Sequence, residues 1–285
     1  MKLLTWNIQW GRGADGRVDL ERMLAHAKQF SDFDVLCLQE VSSGYDDLPG
    51  SDGSDQFAEI SERLADFTAI SGFATDVPAA GRRGRRRFGN MILSRFPVLQ
   101  VFRHLLPWPP EAGVQSMQRI AVEATLDTPL GLVRVTTTHL EYFSAKQRRA
   151  QVERLRHLHQ EACAHARLTG PVDPMVGPFA HPPRAMSAIL TGDFNFLPDS
   201  TDRMFMCSPF DAATPAYRDA WRIANPTQAH APTVGVHDKI QWPGPPFTFD
   251  FVFVSNDLAD KVDSVRVDPA SDASDHQPVL IELRQ

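Results

Sequence analysis

The sequence predicts a layered α/β protein, and three observations carry that prediction. Short apolar, β-rich runs alternate with helix-period runs along the whole chain. The 285 residues, 42% hydrophobic and 22% charged, are ordinary for a folded protein and ample for a core. No internal repeat and no dividing linker is visible, although the length alone admits two small domains.

The elements follow in order. Lys2–Ile8 reads as a strand. Leu20, Met23, Leu24, Ala27 and Phe30 recur at helical spacing, which predicts an amphipathic helix over 18–30. Asp34–Glu40 (DVLCLQE) reads as a buried strand, and Phe57, Ile60, Leu64 and Phe67 mark a second helix. Asn90–Arg95, Ile120–Leu126 and Leu132–Leu140 are further strands. Lys146–Arg167 is the longest helix, with Val152, Leu155, Leu158 and Ala162 on or near one face. Ala188–Phe194, Phe249–Ser255 and Pro278–Leu283 complete the strand set. Two proline-rich stretches, Pro171–Pro183 and Pro226–Pro246, read as long surface loops of the kind that often carry function.

Composition narrows the class. Lys plus Arg is 29 and Asp plus Glu is 35, for a net charge of −6. That balance argues against a general nucleic-acid coat but not against a local basic site, because a cleft makes its own field. Cys37, Cys163 and Cys207 are too scattered for a disulfide framework, and no CxxC is present to suggest structural zinc. No long apolar run reads as a membrane span. The expectation is a cytoplasmic monomer in a reducing compartment.

The polar residues of interest fall where strands end. Asn7 closes the first strand in TWNIQ and Glu40 the second in LCLQE. His139 closes VTTTHL, and Asp193 and Asn195 end ILTGDFN. Asp250 lies within the very apolar FDFVFV, and Asp275–His276 precede the last strand in SDHQPV. Each admits a plain reading: a turn former for Asn7, an exposed strand end for Glu40, an Asx turn for Asp193–Asn195, a structural histidine for His139, a loop pair or helix cap for Asp275–His276. Asp250 resists one, since a carboxylate flanked by Phe249 and Phe251 needs a partner. As a set, the strand termini predict one convergent polar site along a sheet edge.

In that order the motifs resemble the endonuclease/exonuclease/phosphatase superfamily, the group with the DNase I-like fold. TWNIQ, LCLQEV, FGNMILSRFP, TTHL, TGDFN, FDFVFVS and SDHQPV are similar to its successive motifs, from Lys2 to about Leu283. The resemblance implies a four-layer α/β sandwich, two packed, mostly antiparallel sheets flanked by helices, in one domain spanning 1–285. It implies a metal-dependent phosphoesterase, more a phosphodiesterase than a monoesterase. Glu40 then matches the main metal ligand, Asn7 a support for metal or phosphate, and Asp275 a metal-site carboxylate. Asp193 matches the group that deprotonates the attacking water, and Asn195 a phosphate-contacting amide. His276 matches the histidine at the scissile phosphate, oriented by Asp250, and His139 a second phosphate-site histidine and candidate leaving-group acid. Asn90 lines the substrate site. Hard oxygen donors such as Glu40 and Asp275 suit Mg²⁺ or Mn²⁺.

Substrate identity stays open between nucleic acid and lipid or small phosphoesters, and a catalytically silent binding module is the reading of another class. His139 stands where the abasic-site endonuclease branch has tyrosine, which argues against that branch. Gly81–Arg87 (GRRGRRR), including Arg85 and Arg86, either grips a polyanion or is a solvated, mobile loop. Arg119 in QRIAVEA either faces the phosphate or is a surface strand-start arginine. Trp242, among prolines in the 234–247 loop, either stacks on a base or covers an apolar substrate part, or is a structural clamp.

Overall fold

A computed structural model describes residues 1–79, 84–168, 177–180 and 183–285. The strands are β1 (Lys2–Asn7), β2 (Val35–Ser43), β3 (Thr68–Pro78), β4 (Arg85–Ser94), β5 (Val98–Leu105) and β6 (Ile120–Thr128). They continue as β7 (Gly131–His139), β8 (Ala188–Asp193), β9 (Tyr217–Asp219), β10 (Asp250–Ser255), β11 (Val262–Val267) and β12 (Val279–Leu283). The helices are α1 (Leu20–Phe30), α2 (Gln56–Arg63), α3 (Ala145–Ala166), α4 (Thr201–Met206) and α5 (Ala220–Ala224).

Among the described residues the strands form two six-stranded sheets, ordered β11-β12-β1-β2-β4-β3 and β5-β6-β7-β8-β10-β9. Each sheet is antiparallel except at one central pair: β1 with β2, and β7 with β8. A parallel pair needs a long crossover, and α1 and α3 lie in those crossovers. The consequence matters for function. Each parallel pair brings two strand C-termini side by side, Asn7 beside Gln39 in one sheet and His139 beside Asp193 in the other.

Strand alternation sorts the rest. Leu3, Val35, Cys37, Ile92, Val133, Val135, Ile189, Val252 and Val254 face inward and make the core between the sheets. Leu4, Trp6, Leu36, Leu38 and Leu280 face α1 and α2 on one outer side. Ala121, Leu190, Phe251 and Phe253 face Val152, Leu155 and Leu158 of α3 on the other. The helices begin on side-chain caps: Asp19 accepts from the Arg22 N–H, Asp55 from Ala58 and Ser144 from Gln147.

Four sequence expectations need correction. The second helix stops at Arg63, with Leu64 as its C-cap, so Phe67 lies beyond it. Strands β3, β5, β9 and β11 and helices α4 and α5 were not expected. Arg85–Arg87 are not a mobile loop, since they pair with Pro78, Val77 and Asp76 in the β3–β4 hairpin; Arg82 and Arg83 lie outside the described residues. Pro226–Pro246 is not a free loop either, because Val234 bridges to both Phe247 and His276 and ties it to the site. The Pro171–Pro183 stretch falls largely outside the described residues. No helix among them is long and apolar enough to cross a membrane.

Candidate active site

The two parallel pairs meet at one edge of the sandwich, and the inward faces there change from aliphatic to polar. Just below the edge Gln39 Nε2 donates to Thr5 Oγ1 at 3.1 Å and to Thr137 Oγ1 at 2.8 Å, joining the two sheets. Above that layer Asn7 Nδ2 donates to Glu40 Oε1 and to Asp193 Oδ2, both at 3.0 Å. The Gln9 backbone N–H holds the Asn7 oxygen at 3.1 Å, so the amide nitrogen is what faces the carboxylates. Asn7 therefore braces two carboxylates through its amide nitrogen.

Glu40 reaches this edge through a backbone device. Strict alternation from Leu36 and Leu38 would send its side chain to the helix face. The β2–β4 register slips between Leu38 and Val41, which adds one residue to β2, and Glu40 takes a left-handed φ of 60°. The bulge turns the carboxylate to the sheet interface and returns Val41 to the outer core. Among the described residues the non-glycine positions with positive φ are Gln9, Trp10, Glu40 and Asn195, and three of these four hydrogen-bond within the site. Such conformations cost energy and collect at functional sites. Gly192 is demanded by close approach: a Cβ there would lie 1.9 Å from the Thr138 carbonyl, so only glycine lets β7 and β8 bring His139 and Asp193 together.

The strand ends of the second sheet and the segment leading into β12 of the first supply an imidazole–carboxylate cluster. His276 Nδ1 lies 2.8 Å from Asp250 Oδ2, and its Nε2 is 3.7 Å from Asp193 Oδ2. His139 Nε2 is 3.4 Å from the same Asp193 oxygen, and its Nδ1 is 3.8 Å from Glu40. Asn195 donates through Nδ2 to Leu140 O and contacts His139 Nε2 at 3.0 Å. That contact makes Nε2 an acceptor and leaves the ring proton on Nδ1. Asp275 Oδ2 accepts from Gln9 Nε2 at 3.1 Å and from Trp242 Nε1 at 2.9 Å.

The charges are tuned apart. Burial alone would lower His276, but Asp250, Asp275 and Asp193 together hold its imidazole well above the usual range, so it is a cation. His139 goes the other way: burial first, then Arg119 and His276, keep it neutral. Burial pushes Asp193 up to about 7 against the pull of His276. Glu40 keeps 18% of its side chain open, yet crowding and the Asp275 charge raise its carboxyl. A cation between Glu40 and Asp275 would relieve both causes, so the donor set fits a hard divalent ion. Asp193, Asp250 and His276 also offer ligand atoms within 4.8 Å of one another and could hold a metal on geometry alone. The Asp250 bond, however, uses His276 Nδ1, and a cationic imidazole is a poor ligand.

Asn90, Arg119 and His139 line one small cavity. Arg119 is not a surface residue: it is buried, and its Nε lies 3.2 Å from the fully buried Glu141. Arg85 and Arg86 form ion pairs with Asp76 and Asp47, and Arg86 stacks on Tyr45 at 4.1 Å, so neither is an uncommitted polyanion grip. Trp242 is clamped by its bond to Asp275 and by ring contacts to Tyr142 and Phe247. Gln9 and Glu141 were missed, although Gln9 stands inside TWNIQ and Glu141 directly follows TTHL; neither has an apolar-strand context that singles it out.

Two mixed sheets share one carboxylate–imidazole edge. The chain matches the Endonuclease/Exonuclease/phosphatase family over residues 4–276 and belongs to it. An endonuclease/exonuclease/phosphatase from Beutenbergia cavernae DSM 12333 is similar at 24% identity and TM-score 0.64, over 100% of this chain and 71% of that one. A Bacteroides thetaiotaomicron mannosyl-6-phosphatase matches at 17% identity and TM-score 0.66, over 100% of both chains. The human Nocturnin catalytic domain, solved with a bound sulfate anion, matches at 18% and 0.63, over 100% of this chain and 93% of that one. Likeness at these identities carries the fold and not the substrate. No curated protein matches the chain by sequence.

Proposed function

We propose that this protein is a divalent-metal-dependent phosphodiesterase that cleaves nucleic-acid-like phosphodiesters by water attack. The observation that supports it is the division of protonation states: a buried histidine kept cationic by Asp250 beside an aspartate poised near neutrality. Phosphate ester hydrolysis needs a base for water and positive charge where phosphoryl charge develops.

Asp193 takes the proton of the attacking water. Asn7 and the Asn195 backbone N–H hold its carboxylate in place. His276 presents Nε2–H to a non-bridging oxygen while Nδ1–H stays on Asp250. Neutral His139, held through its Nε2 by the Asn195 amide, offers Nδ1–H to the phosphate; a bound phosphate dianion or diester would raise His139 and let it serve the leaving group. Arg119, oriented by Glu141, adds fixed positive charge beside Asn90. Glu40 and Asp275 would hold Mg²⁺ or Mn²⁺, which supplies Lewis-acid stabilisation of phosphate oxygens. Hydrolysis of bis-p-nitrophenyl phosphate by clean protein, present with Mg²⁺ or Mn²⁺ and lost with a chelator, is the expected result. Metal-loaded protein without activity would overturn the proposal in favour of a silent phosphate-binding module.

A further inference from the structure

The phosphate site has an aromatic rim that the chemistry above does not use. Tyr142 and Phe143 follow His139 by three and four residues and leave 41% and 56% of their surface exposed. The Tyr142 ring lies 4.8 Å from Phe143 and 6.1 Å from both Trp242 and Phe249, each at a steep interplanar angle. Phe249 immediately precedes Asp250, and Trp242 donates to Asp275. The rim therefore runs beside the strand ends that carry His139, Asp250 and Asp275. It is also tied to the phosphate machinery: the Phe143 N–H donates to Glu141 Oε1 at 2.9 Å, while Glu141 Oε2 orients Arg119. One buried carboxylate thus fixes both a cation at the phosphate and the backbone that carries the rings.

We propose that Tyr142 and Phe143 form a subsite for a planar aromatic ring attached to the scissile phosphodiester, namely a nucleobase. The proposal rests on the phosphodiesterase reading and adds the substrate group that the rim selects. Stacking needs only one exposed ring face, so it works on an open rim and tolerates any base. An alkyl chain would gain little there, because most of its surface would stay in water. Arg119, oriented by Glu141, supplies the charge complement for the attached phosphate.

The test compares three esters with the same p-nitrophenolate leaving group: the thymidine 5′, methyl and octyl p-nitrophenyl phosphates. The thymidine ester should exceed the methyl ester in kcat/KM by about tenfold or more, the scale of one base–aromatic stack. Tyr142→Ala and Phe143→Ala should remove most of that ratio through KM and leave the methyl ester unchanged. Equal rates on thymidine and methyl esters, or equal losses on both in the variants, would overturn the subsite. An octyl ester favoured as much as the thymidine ester would overturn the planar-ring assignment. If the methyl ester is not hydrolysed at all, the phosphodiesterase reading fails, and calorimetry with thymidine 5′-phosphate decides the rim alone. Binding that Tyr142→Ala weakens would support it, and absence of binding would sink it.

Discussion

Strand β7 carries a buried charged cluster near each end, and the two are built on opposite principles. His139, at its C-terminus, belongs to the site with Glu40, Asp193, Asn195, Asp250 and His276. Arg134, five residues earlier and roughly 17 Å away along the strand, points to the α3 face. There Arg134 Nη1 lies 3.1 Å from Glu123, its Nε donates to Ala185 O, and its Nη2 meets His159 Nδ1 at 2.7 Å. His159 Nε2 in turn donates to Pro215 O at 2.8 Å. Both ring nitrogens are used, and burial followed by Arg134 lowers His159 to about 4, so it is neutral. At the site the histidine is a cation, carboxylates outnumber it, and Asp250 Oδ1 is buried with no hydrogen-bond partner among the described residues. In the first cluster Arg184 Nη2 lies 3.1 Å from the second Glu123 oxygen, so its carboxylate is paired on both oxygens and the group holds α3 to its sheet; the site, with carboxylates in excess, is poised for an ion and a substrate. Burial of charge alone does not mark an active site, whereas unspent charge does.

The sharpest way to break this contrast is to mutate both ends. His276→Ala and Asp193→Asn should each lower kcat by on the order of 10²–10⁴-fold, with the far-ultraviolet circular dichroism of the native protein. Near-normal turnover in either variant would remove the role assigned to that residue. Arg134→Leu should do the reverse. It leaves the buried Glu123 with Arg184 alone and removes the donors to Ala185 O and His159 Nδ1, which should cost about 1–3 kcal/mol in denaturant unfolding, while kcat per folded molecule stays the same.

Protonation separates the clusters next. Because Asp193 holds its proton until about pH 7, kcat/KM should climb with pH through that region and fall again only when His276 titrates, well above its ordinary value. Asp193 binds more protons folded than unfolded between the ordinary aspartate range and pH 7, so it lowers stability as pH rises through that window. Asp193→Asn should therefore raise the melting temperature of the metal-free protein at pH 8, by about 1–3 °C. His159 has the opposite sign. The unfolded state takes up its proton near pH 6.5 and the folded state only near 4, so stability is lost as pH falls between them. His159→Gln should flatten that acid limb in unfolding measured from pH 7 to 4. The smallest effect is expected at the hairpin. Arg85 and Arg86 are already paired with Asp76 and Asp47, so Arg85→Ala with Arg86→Ala should raise KM only about 2–5-fold for an oligonucleotide, and less for a small ester. Equal effects on both would remove the backbone-gripping role.

Much of this was legible in the sequence, for definite reasons. Apolar strands ending in Asn7, Glu40, His139 and Asp193 advertise themselves, because a carboxylate or amide at the end of such a run has to be partnered. What stayed hidden depends on phase and edge. The bulge at Glu40 breaks the two-residue period, so alternation points its side chain the wrong way. Strand β3 turns Ile70, Gly72 and Ala74 inward, and two of the three are small, which leaves little hydrophobic contrast. Arg134 sits in an apolar strand much as His139 does, and only its α3 partner, His159, tells the two apart. Arg85 and Arg86 looked free because their partners Asp76 and Asp47 are 9 and 39 residues away.

One paired measurement separates the two clusters most directly: metal-dependent bis-p-nitrophenyl phosphate hydrolysis and unfolding free energy, for the native chain, Asp193→Asn and Arg134→Leu. The expected result is a crossed pattern. Asp193→Asn is inactive with Mg²⁺ or Mn²⁺ and at least as stable as the native chain, while Arg134→Leu is destabilised and active per folded molecule. An active Asp193→Asn, or loss of both activity and stability in the same proportion in the two variants, would contradict the claim that the unbalanced cluster is the catalytic one.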